Sequence, residues 1–558
     1  MANMPGITGQ CFSFSTSVTT QCYSSPTKKK TPKEKAATLS SCQVGLLIFT
    51  LYCGSFLVAL DASVVSNAVP KITSEFASLA HFTWYHVGYL HSLGPLQPIF
   101  ARVCRVANPK IVYMGCLFVL EVGSIVCAAS HSSRVFIAGR FIAGVGAAGV
   151  FHAAIAIINK TIRLESRRHC IGIVNSAGAV AACAGPIFAG LFVDHATWRW
   201  AFWINVPTGF LVLFLVLCIP QPPQPTWQKE TFGSMTWKQR IQVVDPIGWI
   251  FMVGASMCST LPGTFGTPWP DETVPYVLLA TAPLLTYVYI YWSQQWHGRD
   301  AVMPKWLFRE RSAFVCALFS IFIASAESIQ ICYLPFFFQA AREISATRSG
   351  LWCLVFFFPK AGFAIITGVL VNKFGTVRLQ MILGAAVATI GSMMAMILMF
   401  FDIDPDIVRV APLVVGIGLG LATNLPYIVA ITTLPQERIA AALVSLQFCY
   451  HFGSILYLGV AQLTFVDKLK NFVETLTPTT SMEAVFHAGA ANLRGLAHGS
   501  EDTYQLLRQV YLSALAYTLY VPAICVAVAL GVAFIVQDRS YLRVPKERRN
   551  RNPMDFKV

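Results

Sequence analysis

Five charged side chains stand inside long apolar runs of this 558-residue chain: Asp61, Glu121, Arg140, Glu327 and Lys360. A charge surrounded by apolar sequence is costly and is kept where it faces a partner or a water-filled cavity. At a rise of ~1.5 Å per residue, Asp61 lies ~26 Å into the first apolar run and Arg140 ~8 Å into the fourth. With alternate runs crossing in opposite directions, both fall near the same face of a ~30 Å layer. A carboxyl group beside a guanidinium can bind and release a proton as its access to water changes, so the two are read as a proton-linked pair. The plainer alternative is that Asp61 caps its helix and Arg140 holds backbone carbonyls. Glu327 shares a helical face with Gln330 and is read as a third proton-coupling residue lining a cavity. Lys360 follows Pro359, where the chain loses a helical hydrogen bond, and can hold an anionic group; pairing with Glu327 is the plainer choice. Glu121 is expected in a structural pair.

Uncharged polar and aromatic residues in the same runs add candidates for a substrate cavity: Phe151, His152, Asn175, Gln330, Tyr333, Asn424, Tyr427, Gln447, Tyr450 and His451, with Lys360. An aromatic cavity with few charges suits an amphipathic organic molecule better than a sugar. A single histidine in an apolar helix is more often a packed core residue than a ligand. The run GRFIAGVGAAG contains Gly144-x-Gly146-x-x-Gly149, the spacing of a dinucleotide-binding turn. That chemistry needs a strand before the glycines and a helix opening after them. Here apolar sequence continues on both sides, so the glycines are read as small residues for close helix packing. No GxxxxGK[ST] phosphate loop occurs, hence no ATP site is expected. The 16 cysteines are scattered without a CxxC pair and are read as packing residues, with no metal site. No GxSxG motif or acid–base constellation is found, and an enzyme is not expected.

Residues that are 55% hydrophobic and only 12% charged cannot cover a soluble surface of this length. The reading is an all-α polytopic membrane protein of fourteen spans, at about 44–66, 84–104, 111–130, 135–158, 170–193, 201–219, 246–262, 273–293, 312–335, 350–371, 377–400, 410–432, 440–463 and 511–536. The organisation is a first bundle of six over 44–219, a polar linker over 220–245, and a two-helix insert over 246–293. A second bundle over 294–463, an external segment over 464–510 and a last helix over 511–537 follow. Of the 41 Lys and Arg residues, 29 fall on the two tails and every second loop and 10 on the alternate loops, which places both tails in the cytosol. The N-tail, 1–43, is polar with a KKKTPKEK cluster and reads as disordered; the tail over 538–558 is basic. The net charge of +15 is therefore assigned to orientation at the lipid bilayer, not to nucleic acid.

Several segments in the same order resemble the major facilitator superfamily, within it the fourteen-span drug:proton antiporter family and its fungal efflux branch. They are LDASVVSNAVPKI (60–72), GRFIAGVGAAG (139–149, with Gly144), AGPIFAG (184–190, with Gly185, Pro186 and Gly190), WRWAFWINVPTG (198–209, with Trp198 and Arg199), YLPFFFQ, SATRSG and GIGLG. The resemblance implies two six-helix bundles plus an insert, alternating access, and proton-driven export of drugs, toxins or secondary metabolites. It implies a plasma-membrane location, with vacuolar or vesicular membrane as the alternative, a monomer, a small-molecule substrate and no cofactor beyond a proton gradient. ARVCRVANPK (101–110) departs from the family's helix 2–3 loop, having no acid near Arg105, which implies a weakened latch between the halves. Alternatives are a siderophore or other uptake carrier, and a sensor on the same fold.

Overall fold

The computed structural model describes residues 40–219, 234–238, 245–263, 273–297, 301–403, 405–476, 484–485, 495 and 500–536. The tails and most of the linker fall outside these residues. Among the described residues all regular structure is helical. The first half comprises α1 (Ser41–Glu75), α2 (Trp84–Val106), α3 (Pro109–Ala128), α4 (Ser133–Thr161), α5 (Leu164–His195) and α6 (Asn205–Cys218). The insert is α7 (Pro246–Thr260) and α8 (Val274–His297). The second half runs through α9 (Arg311–Phe336), α10 (Ala346–Phe374), α11 (Val377–Phe400), α12 (Val410–Ala422), α13 (Leu425–Thr433), α14 (Gln436–Leu476), α15 (Glu501–Thr518) and α16 (Tyr520–Ile535).

The helix ends follow local chemistry. Ser40 and Gln43 form a reciprocal capping box before α1. Asn108 caps α3, whose first residue is Pro109, where a missing N–H costs nothing. Ser132 and Ser345 cap α4 and α10, and α10 ends on Gly375 in the left-handed conformation at φ 67°.

Pairing order repeats between the halves. In the first, α3 packs on α4, α2 on α4 and α1 on α5. In the second, α11 packs on α12, α10 on α12 and α9 on α14. The halves meet through α5 with α10, α2 with α14 and α1 with α9, and the insert lies against α2 and α14. Large apolar side chains face outwards, Phe214 at 61% and Ile365 at 73% exposure among them, as lipid contact requires.

Twelve described helices are long and apolar enough to cross a membrane. The remaining two expected spans are helices too, but α2 carries His, Gln and Arg residues and α7 has 15 residues. Several helices overrun the expected bounds. α1 continues through Pro70 to Glu75, α14 to Leu476, and the last helical stretch begins at Glu501, capped by Ser500. The expected external segment 464–510 is therefore largely helical at both its ends. Apolar content marks only the part inside the hydrocarbon layer, whereas capping and backbone hydrogen bonding carry a helix beyond it.

Candidate functional site

Two buried charge clusters occupy the halves. In the first, Arg140 on α4 donates from Nη1 to Asp61 Oδ2 at 2.6 Å and to the Asp61 carbonyl at 3.2 Å. Its Nε donates to the Tyr85 carbonyl at 3.2 Å, and its guanidinium lies 4.5 Å from the Tyr89 ring centroid and 5.9 Å from that of Phe202. The other carboxylate oxygen of Asp61 accepts from Asn205 Nδ2 at 3.0 Å and Ser124 Oγ at 3.3 Å. Both charged side chains are wholly buried. Breaking such a pair leaves an uncompensated charge and costs ~3–5 kcal/mol. The spacing of Asp61 and Arg140 along their helices made this pair legible; Ser124 and Asn205, its polar partners, were not anticipated.

In the second half Lys360 on α10 forms an ion pair with Glu327 on α9. Tyr450 stands beside that carboxylate. The hydroxyl of Tyr427 donates to Gln447 Oε1 at 2.9 Å, and Gln447 Nε2 meets His451 Nε2 at 3.0 Å. His152, whose Nδ1 meets its own helix at the Ala148 carbonyl at 3.1 Å, approaches His451 from the first half, with the half-buried Phe151 stacked edge-on to it. Seven of the expected residues thus form one polar cluster: His152, Glu327, Lys360, Tyr427, Gln447, Tyr450 and His451. Asn175 and Asn424 are exposed. Gln330 is buried, with its Nε2 unpartnered.

Tyr333 lies elsewhere, at the end of the bundle marked by Glu75. There its hydroxyl donates to Gln462 Oε1 at 3.1 Å, and the same oxygen accepts from Thr83 of the first half. Phe82 of the first half enters an aromatic box of the second, 4.7 Å from Phe336, 5.0 Å from Tyr333 and 6.4 Å from Phe465. Tyr333 is therefore part of a closure between the halves and does not line the polar cluster; the helical face it shares with the cavity candidates gave no sign of the neighbouring helix.

The same closure includes Asn67, whose Nδ2 donates to the carbonyls of Pro186 and Ala346 at 2.8 Å each. Gln339 and Ser349 donate to Asn67 Oδ1 at 2.8 and 2.9 Å. Asp194 accepts the backbone N–H groups of Ala346 and Thr347 at 3.2 and 2.7 Å, capping α10 from the opposite half. Glycine permits this approach: a Cβ on Gly190 would strike the Ala346 carbonyl and one on Gly350 the Pro186 carbonyl. Gly185 packs on Ser63 of α1, and Gly144 on the backbone of α2, by the same logic. Asn67, Asp194, Gln339 and Ser349 went unassigned because only the fold brings them together.

Trp198 and Arg199 fasten the first half internally. Trp198 Nε1 donates to Glu75 Oε2 at 2.6 Å, and Arg199 bonds Glu75 Oε1 at 2.7 Å and the Ser130 carbonyl at 2.9 Å. At the opposite end, where the helix 2–3 loop lacks its acid, Arg102 pairs instead with Asp245 at the start of α7, at 3.8 Å. Lys110 binds the Leu217 and Ile219 carbonyls that end α6. Glu121 departs from expectation: it is 1% exposed and has no ion-pair or hydrogen-bond partner among the described residues.

The family profile of the Major Facilitator Superfamily matches residues 51–458. A protein named MFS-type efflux pump from Arthroderma benhamiae is 30% identical over 460 residues, covering 81% of this chain and 84% of its own. A protein named aspyridones efflux protein, from Neocamarosporium betae, is 29% identical over 483 residues, covering 85% and 83%. Among solved structures, a bacterial homologue of the human lysosomal transporter Spinster superposes with a TM-score of 0.63 at 14% identity, over 89% of this chain and 98% of that one.

Proposed function

The chain belongs to the Major Facilitator Superfamily, and from that premise we propose that it is a proton-coupled secondary transporter exporting small amphipathic organic compounds, among them drugs, toxins or secondary metabolites. The observation that carries this reading is the wholly buried Asp61–Arg140 pair. Two charges are kept at that depth against a desolvation penalty of several kcal/mol per ion, which is reasonable where the carboxylate binds a proton in the working cycle. Protonation of Asp61 removes the charge that holds Arg140 and frees α1 and α4 to shift against each other. The polar and aromatic cluster around Glu327 and Lys360 is assigned to the cargo, with His152 contributed by the first half. The closure at the Glu75 end is one gate of an alternating-access cycle; the distribution of basic residues puts it on the external side.

In this reading fourteen helices cross the membrane, α7 with its following turn and α2 included, and the protein works as a monomer in the plasma membrane without a bound cofactor. The relatives named efflux pumps support export over uptake. The test uses full-length protein in liposomes, with a fluorescent amphipath and an imposed pH gradient. Asp61→Asn, checked for folding by monodispersity, is expected to lose gradient-driven accumulation. Undiminished accumulation by that variant refutes the assignment.

A further inference from the structure

We propose that Glu121 is a second proton-binding site of the first half, one helical turn along α3 from the Ser124 that holds Asp61, and exchanging its proton with that carboxylate. The proposal rests on the transporter reading for its purpose, but on geometry for its place. Both carboxyl oxygens of Glu121 are buried and meet no hydrogen-bond partner among the described residues. Its Oε1 packs directly on α6, in the space that a Cβ on Gly209 would fill. A native buried polar group without a partner calls for an explanation, and an unpaired carboxylate in such surroundings is far costlier than the neutral acid.

The neighbouring contacts supply the connection. Ser124 follows Glu121 by three residues on the same face of α3, and Asn205 precedes Gly209 by four on α6. Ser124 and Asn205 bond each other at 3.3 Å, and both donate to Asp61 Oδ1. Two rungs therefore span α3 and α6, about 4.5 Å apart along α3 and about 6 Å along α6: Ser124 with Asn205 holding Asp61, and Glu121 with Gly209 next to it. The charged group recorded beside Glu121 is Asp61 on α1, and Tyr89 on α2, Arg140 on α4 and Cys127 on α3 gather around that Asp61, while α6 meets Glu121 at Gly209. Arg140 is the single cation of the set and is committed to Asp61.

The exchange balances simply. Glu121 as the acid gives its proton to the Asp61 carboxylate; Asp61 becomes neutral and releases Arg140, and Glu121 becomes the carboxylate that takes over the cation's charge. No other reactant is needed, and the proton enters from and returns to water.

The test is infrared titration of the full-length protein in lipid nanodiscs. The wild type is expected to show a protonated-carboxyl band at neutral pH that is lost in Glu121→Gln, the two proteins having matching thermal unfolding. In Asp61→Asn the band's midpoint should move by at least half a pH unit. A band unchanged in Glu121→Gln overturns the site, and a band lost there but indifferent to Asp61→Asn overturns the exchange. These readouts do not depend on transport. A wild type that moves no amphipath in liposomes counts against the transporter reading and leaves the infrared result to decide the proton site.

Discussion

Replacing Phe82 by alanine tests whether the aromatic closure sets the balance between conformations. Phe82 is fully buried and touches the Tyr333, Phe336 and Phe465 rings of the opposite half. Deleting a buried Phe costs ~3–5 kcal/mol, and each aromatic pair contributes ~0.5–1.5 kcal/mol beyond its buried area. The loss falls on the closed form, because separation of the halves withdraws Phe82 from the box. At ~3 kcal/mol, and ~1.4 kcal/mol per factor of ten, the open fraction should rise ~150-fold. The assay is thiol labelling in a variant whose native cysteines are replaced. Ala346→Cys supplies the reporter, since Ala346 is 4% exposed where α10 meets α5. Its labelling rate tracks the open fraction and should rise about a hundredfold with Phe82→Ala. A change of less than about threefold in a protein that remains folded refutes the energetic role assigned to Phe82.

Two further outcomes follow from other sites. Lys360→Met should lower the unfolding temperature by leaving the buried Glu327 carboxylate unpaired, at a cost of ~3–5 kcal/mol, and adding Glu327→Gln should restore most of it; equal losses in the single and double variants would show that the pair is not coupled. His81, in the turn before α2, has its pKa lowered from 6.5 by burial and then by Arg134, while its Nδ1 meets Ser133 Oγ at 2.8 Å. Because the folded value is the lower one, its contribution is full above the ordinary histidine range and is lost as pH falls through the folded value. The wild type should therefore lose more thermal stability on acidification below about pH 6 than His81→Asn does, and parallel losses would refute this.

The helical class, the membrane character and the Asp61–Arg140 pair were legible because each leaves a one-dimensional trace: long apolar runs, and charges whose positions along their helices place them at matching depth. The cluster around Lys360 was legible in composition, since Tyr427, Gln447, Tyr450 and His451 interrupt apolar helices at helical spacing. Helix ends were less so. The first span was expected to end near residue 66, yet α1 continues through Pro70 to Glu75, because tertiary contacts outweigh the one hydrogen bond the proline removes. The closure was hidden for another reason. Asn67 and Ala346 are 279 residues apart and meet through the pairing of α5 with α10, and no local pattern specifies which helix of one half will face which of the other. Glu121 failed in the opposite sense, because a buried carboxyl suggests a partner and the described residues provide none.

The ion pairs named above share a property that bears on what drives the cycle. Arg140 with Asp61 and Arg199 with Glu75 lie within the first half, Lys360 with Glu327 within the second, and Arg102 with Asp245 joins the first half to the insert. The contacts named between the halves at the Glu75 end are amides, hydroxyls, aromatic rings and one carboxylate, Asp194, that meets backbone N–H groups instead of a cation. Parting the halves at this end thus breaks none of the ion pairs named here. Its energy should vary little with ionic strength, since screening acts on charge pairs, and a proton bound at Asp61 must influence it through the movement of α1, which carries Asp61 and Asn67 on one continuous helix.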